Sequence, residues 1–184
     1  MTETNSNLHV IGEDFRRAMR KLTGGVSVIT VGKGADISGM TVTSVSSLSV
    51  DPATVIVSIN RQTSSWPLLQ HYGIFGVNIL SADQVDIAER FSGRDGLKGA
   101  ARFSGARWLT QKTGVPILVD AAAALDCEVE EMIERHSHAI VIGRVRQAFT
   151  SQDLGGLAYR QGEYLAVDTS LQIARAGEKN LPAA

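Results

Sequence analysis

The sequence predicts a mainly β fold with helical insertions, closed as a β-barrel. Short apolar or alternating runs recur at 26–31, 54–60, 74–80, 125–129, 138–145, 157–160 and 163–167, with only sparse helical stretches between them. No G-x-G-x-x-G follows a strand, since Gly32-Lys33-Gly34 lacks the third glycine. No G-x-x-x-x-G-K-[ST] loop is present either. A doubly wound α/β fold with a glycine-loop nucleotide site is therefore the poorer reading.

Each element has a local reason. Residues 1–9 read as a loose polar start. Asp14 is a candidate cap for a helix with Phe15, Ala18, Met19 and Leu22 on one face and Arg16, Arg17, Arg20 and Lys21 on the other. Gly24-Gly25 ends it. Val26 to Val31 suits a strand buried on both faces, and Gly32-Lys33-Gly34 a turn. A Thr/Ser-rich segment runs from Gly39 to Val50, Asp51-Pro52 turns the chain, and 54–60 is the next strand. Ser64 or Ser65 caps a short helix beginning Trp66-Pro67, with proline in its first turn. Ile74–Leu80 is a strand and Ala82–Phe91 a helix. Residues 92–114, rich in glycine and mixed charge, read as loop with at most one helical turn. Leu125, Cys127 and Val129 alternate with acids as in a half-exposed strand, and His138–Val145 is an apolar strand with a bulge at Gly143. Strands at 157–160 and 163–167 close one domain, 10–168, with polar tails at 1–9 and 169–184.

Composition narrows the function classes. With 184 residues, 43% hydrophobic and 20% charged, the chain has the profile of a single globular domain. A net charge of −1 gives no electrostatic case for nucleic acid or an anionic membrane. The one cysteine, Cys127, excludes an internal disulfide and a thiolate zinc cluster, and it reads as a buried apolar residue. No apolar run approaches a membrane span and the first residues are too polar for a signal peptide, so a cytoplasmic location is expected. No G-x-S-x-G nucleophile elbow occurs. His136 and His138 stand two apart in an apparent strand, which would place both on one side, but no second histidine cluster accompanies them and no metal is expected. Trp66 and Trp108 read as core or interface.

The chemistry concentrates in Gly39-Met-Thr-Val-Thr-Ser-Val-Ser-Ser-Leu-Ser-Val-Asp51-Pro52. Neutral hydroxyls alternate with apolar residues, and no acid or base falls between Gly39 and Val50. That composition suits a flat ligand, apolar in its middle and edged by hydrogen-bonding atoms, such as an isoalloxazine ring. On chemistry alone it suits an ordinary strand and turn better, in which serine and threonine bend and cap the backbone.

From Phe15 to Tyr164 the chain resembles the short-chain flavin reductases. These are FMN-binding split barrels that supply reduced flavin to two-component monooxygenases, as hydroxyphenylacetate monooxygenase reductase components do. The resemblance is carried by Thr23-Gly-Gly-Val-Ser-Val-Ile-Thr30, the Gly39–Pro52 segment, Ser58-Ile-Asn-Arg-Gln-Thr63 and Phe75-Gly-Val-Asn-Ile-Leu80. It continues through Phe91-Ser-Gly93, Arg102-Phe103, Trp108, Pro116, Asp126-Cys127 and Ser137-His138, then Ile142-Gly-Arg-Val145 and Tyr159-Arg-Gln-Gly-Glu-Tyr164. Order and spacing, more than any single piece, carry it.

The resemblance implies a split β-barrel of the FMN-binding type and an NAD(P)H-dependent flavin reductase that uses FMN or FAD, with NADH or NADPH as hydride donor. It implies that Thr43, Ser44 and Val45 line the flavin ring, and that Ser46, Ser47, Ser58, Ile59, Asn60 and Thr63 hold the ribityl chain and phosphate. Phe91 would lie beside the flavin. His138 matches the histidine of the family's Gly-Asp-His motif near the nicotinamide, though His136-Ser137 precede it here. Because hydride transfer needs two stacked rings and no side-chain acid or base, His138 is expected to position rather than to exchange a proton. A homodimer is implied, with the strands at 54–60 and 74–80 as candidates for interface or core. Two rival readings stand beside this one: a non-catalytic flavin-binding electron carrier, and an oxidase of the pyridoxamine-phosphate type on the same barrel.

Overall fold

The computed structural model describes residues 3–151 and 154–167, with side chains from Ile11 onward. In chain order the elements are α1 (Glu3–Met19), β1 (Gly24–Gly25), β2 (Ser27–Lys33), β3 (Asp36–Val42), β4 (Ser46–Val50) and β5 (Ala53–Asn60). Next come α2 (Trp66–Tyr72), β6 (Ile74–Ile79), α3 (Val85–Ser92), a 3-10 turn (Gly99–Phe103), β7 (Trp108–Thr110) and β8 (Pro116–Leu118). The long strands β9 (Ala123–Arg135) and β10 (His138–Thr150) follow, then β11 (Gly156–Arg160) and β12 (Glu163–Val167).

Seven antiparallel strands form the main sheet in the order β3-β2-β6-β9-β10-β5-β4. Its two edges, β3 and β4, are consecutive in the chain and joined by Thr43, Ser44 and Val45 alone. A flat seven-stranded sheet would hold its edges about 29 Å apart. Four Cα steps from Val42 to Ser46 span at most about 15 Å. The sheet must therefore curl until its edges approach, although β3 and β4 exchange no ladder bonds. The result is a barrel split along one seam, and residues 43–45 cross that seam.

Two cores lie on the two faces of the curled sheet, and β2 shows how one strand serves both. Ile29 and Val31 pack with Val57, Ile59, Phe75, Val77, Cys127 and Val141. Val26 and Val28, with alternating direction, join Leu80, Phe91, Phe103, Ile117 and Leu157. Trp66 and Leu69 of α2 are buried in the first cluster, and Trp108 is half-buried against the second.

Buried polar side chains tie the long 92–122 excursion to the barrel. Thr30 donates its hydroxyl to the Pro116 carbonyl, while Asn78 donates to Val28 O at 3.0 Å and accepts from Leu118 N at 2.7 Å. Asp126, fully buried, accepts from both the amide and the hydroxyl of Thr113. Each bond satisfies a group that would be costly to bury alone.

Several sequence expectations change. Helix α1 starts at Glu3, so most of 1–9 is helical rather than a loose start, and Asp14 lies inside the helix instead of capping it. The face carrying Phe15, Met19 and Leu22 is exposed rather than packed. The turn after β2 is Gly34-Ala35, and Gly32 stays in the strand at φ +88° with Asp36 O filling the place a Cβ would take. Ser65 makes no side-chain cap to α2; its hydroxyl meets that of Ser38 at 2.9 Å. The loop reading of 92–114 missed β7. The expected strands, the buried Cys127 and the Gly143 register shift are all present. The tail expected at 169–184 lies outside the described residues.

Candidate functional site

The seam opens into a groove of about 400 Å³. Its walls come from β3 and the crossing (Met40 to Ser44), from the end of β5 and the following turn (Asn60, Thr63, Ser64), from the end of α3 (Phe91, Ser92), and from Arg102 and His138. The β-ladder sets the central juxtaposition: His138 at the start of β10 pairs with Asn60 at the end of β5.

Most hydroxyls here are already committed as donors. Ser44 donates to Ser58 O at 2.8 Å, Thr63 to Asn60 O at 2.9 Å, and Thr41 to Ala88 O at 2.6 Å. These bonds fix the walls and leave lone pairs facing out. Asn60 Oδ1 accepts the Gln62 amide at 2.9 Å, an Asx turn that leaves the Asn60 amide nitrogen for a ligand. The exposed Thr43 hydroxyl has no partner among the described residues. His138 is exposed and its Nδ1 lies 2.9 Å from Ser137 Oγ, which orients the ring.

Arg102 brings the one cationic guanidinium of the lining. Its Nη1 donates to Gly39 O at 2.6 Å and its Nε to Leu97 O at 2.8 Å, so the head is held against the wall of β3. Among the described residues it has no carboxylate partner. Sequence reasoning noted Arg102-Phe103 within the family pattern but assigned the arginine no role. A lone arginine in a glycine-rich excursion gives no signal until the 3-10 turn folds it over β3.

The structure sorts the expected site residues. Thr43, Ser44, Asn60, Thr63, Phe91 and His138 line one groove. Ser58 adjoins it through the Ser44 bond. Val45, Ser46 and Ser47 do not line it: Ser46 and Ser47 stand exposed on the edge strand β4. The Ile59 side chain is fully buried in the core. Phe91 is 1% exposed, its ring 5.1 Å from Phe103 and 5.5 Å from Trp108, so it forms part of the groove floor and offers no free face for stacking. His136 occupies the β9–β10 hairpin turn at φ 51°, so the two histidines do not share a strand face. Among the described residues no three His, Cys, Asp or Glu side chains converge as metal ligands. Burial, aided by the charge of Asp126, pushes the Cys127 thiol up to about 12, which keeps it protonated and unreactive at neutral pH.

A flavin fits this groove on two counts. The volume is that of a small-molecule site. The polar lining is neutral at Thr43, Ser44 and Asn60, with donors free at Thr43 and the Asn60 amide, and positive only at Arg102, as a ring with a phosphate-bearing tail requires. An antiparallel barrel with such a groove in its split belongs to the split-barrel flavoprotein class.

Comparison with known proteins narrows the class. The family profile described as "Flavin reductase like domain" matches residues 19–168. FMN reductase (NADH) RutF of Cronobacter sakazakii is 33% identical over 153 residues, covering 83% of this chain and 91% of that protein. The reductase component of an FADH(2)-dependent resorcinol hydroxylase from a Rhizobium species is 34% identical over 158 residues, covering 85% and 87%. The crystal structure of BorF, flavin reductase component of a bacterial two-component tryptophan halogenase, superposes with a TM-score of 0.78 at 27% identity, covering 85% of this chain and 98% of that one. The chain belongs to the flavin reductase like domain family.

Proposed function

We propose that the protein is an NADH-dependent flavin reductase: it binds FMN or FAD in the seam groove, takes a hydride from the pyridine nucleotide, and releases reduced flavin to a separate monooxygenase. The observation that carries the reading is the convergence, across one seam, of the Thr43-Ser44 crossing, Asn60, Arg102 and His138. A bound flavin supplies the hydride acceptor. The chain's own residues bind and orient. Thr43 and the Asn60 amide would donate toward the ring edge, and Arg102 would offer its charge to the phosphate end. His138, opposite Asn60, borders the open side where a nicotinamide would stack. Closing the two rings into contact supplies most of what the reaction needs. Relatives named as FMN reductases and as reductase components support both halves of the reading.

The test is pyridine nucleotide oxidation under anaerobic conditions with FMN and FAD added in turn. NADH is consumed only when flavin is present. Saturable flavin binding without NADH oxidation would place the protein among carriers instead.

The same reading includes a homodimer. On β5 the outward residues are Ile56 and Ser58, since Val57 and Ile59 face the core. Ile140 pairs with Ser58 and Ile133, and Ile142 with Ile56, so four isoleucines lie on one outer face of β9, β10 and β5. Leu48 and Val50 of β4 are exposed at the edge of this sheet. Strand β6, the other candidate, is buried along nearly its whole length and belongs to the core.

A further inference from the structure

A second cleft, of about 650 Å³, lies outside the seam groove, between α1 and the β11–β12 turn. It adjoins the groove at Thr43, which lines both. There Gly24 brings the chain so close that a Cβ would sit 2.9 Å from Thr43 Cβ. Gln161 N donates to Arg20 O at 3.0 Å and pins the turn to the end of the helix. Arg16, Arg17, Arg20 and Arg160 line the cleft, against one acid, Glu13. Arg17 is neutralised by Asp14, but Arg16, Arg20 and Arg160 have no carboxylate partner among the described residues. Phe15 and Leu22, each 63% exposed, add apolar surface.

Resting on the flavin-reductase reading, we propose that this cleft holds the diphosphate and adenylate half of the reduced pyridine dinucleotide whose nicotinamide enters the seam groove past Thr43. Unpaired guanidinium groups match a dianionic diphosphate, and exposed Phe15 and Leu22 match an adenine face. A dinucleotide needs two connected sites, one neutral and one cationic, and Thr43 joins two such sites. The hydride donor is the better occupant because NADH carries a diphosphate and an adenylate whichever flavin is used, whereas of the two flavins only FAD does.

The test compares the parent with Arg20→Ala, Arg160→Ala and the double variant, with NADH and reduced nicotinamide mononucleotide as alternative donors. The double variant raises KM for NADH roughly tenfold with kcat held. KM for the mononucleotide moves far less, and added salt narrows the difference between parent and variant. Arg160→Lys restores part of the loss. Titration of flavin-free protein with NADH reads the cleft independently of turnover: the parent binds and the double variant binds more weakly. An unchanged KM for NADH overturns the inference. So does a fall in FAD affinity with NADH unaffected, which gives the cleft to the flavin, or a change in oligomeric state alone, which gives it to a second copy of the chain. A parent that binds NADH but reduces no flavin overturns the function reading and leaves the cleft assignment standing. A parent that binds no NADH overturns the cleft assignment.

Discussion

His138 and Asn60 face each other across the β10–β5 ladder, yet their side chains have different work to do. Asn60 holds its turn through Oδ1 and keeps its amide nitrogen for a ligand. Asn60→Ala should weaken flavin binding by about 1 kcal/mol, and more if the ligand's acceptor is left buried; a fluorescence titration measures it. His138 breaks no bond, so His138→Ala should slow flavin reduction about tenfold while flavin affinity stays near parental. Single-turnover reduction by NADH checks this, and a parental rate would leave the nicotinamide side without a named residue. Both residues were legible because each sits at a strand end within a recognisable run. Ile59 was not, because neighbours in sequence on a strand point to opposite sides, and a motif names its positions without saying which of them turn inward. Phe91 shows the same limit: the motif places it beside the groove, and only the packing of Phe103 and Trp108 shows that its ring has no free face.

At the scale of elements, the long regular strands were readable and the short ones were not. β7 and β8 have three residues each, too few for a period to register; β7 pairs with β8, which is held by partners far away in sequence, Thr30 and Asn78. The β10 bulge was readable from one glycine. A Cβ at Gly143 would lie 2.2 Å from Phe75 Cζ, and Phe75 is fully buried. Gly143→Ala therefore should overpack the barrel and cost about 1–3 kcal/mol. Urea unfolding measures this, with flavin affinity serving as a second readout, since β10 also carries His138 of the groove at its start. A stability equal to the parent's would mean that the ring moves aside without cost. Helix α1 was misjudged at its start, where Asp14 was read as a cap although the helix begins at Glu3, and its apolar residues Phe15 and Met19 border an open cleft.

For the whole molecule, closure is decided by the three-residue crossing at 43–45, and that same crossing makes the site. Fold and groove have one cause, so the Thr/Ser segment that carries the chain across the seam also walls the groove, whereas its composition alone favoured an ordinary strand and turn. Closure also turns the outer face of β5, β9 and β10 into a surface carrying Ile56, Ile133, Ile140 and Ile142, with Ile140 42% exposed. A stable dimer buries roughly 1,200–2,000 Å² in total, and covering each such side chain fully contributes about 1.5–3 kcal/mol. Paired aspartates at Ile56 and Ile140 would put charge where two copies meet, and neither residue lines the seam groove. Ile56→Asp/Ile140→Asp should therefore convert a dimer into a monomer by light scattering coupled to size exclusion, with the far-ultraviolet circular dichroism of the parent retained. A parent that elutes as a monomer would overturn the dimer, whereas a double variant that stays dimeric would place the interface elsewhere, with the exposed face of α1 the next surface to charge.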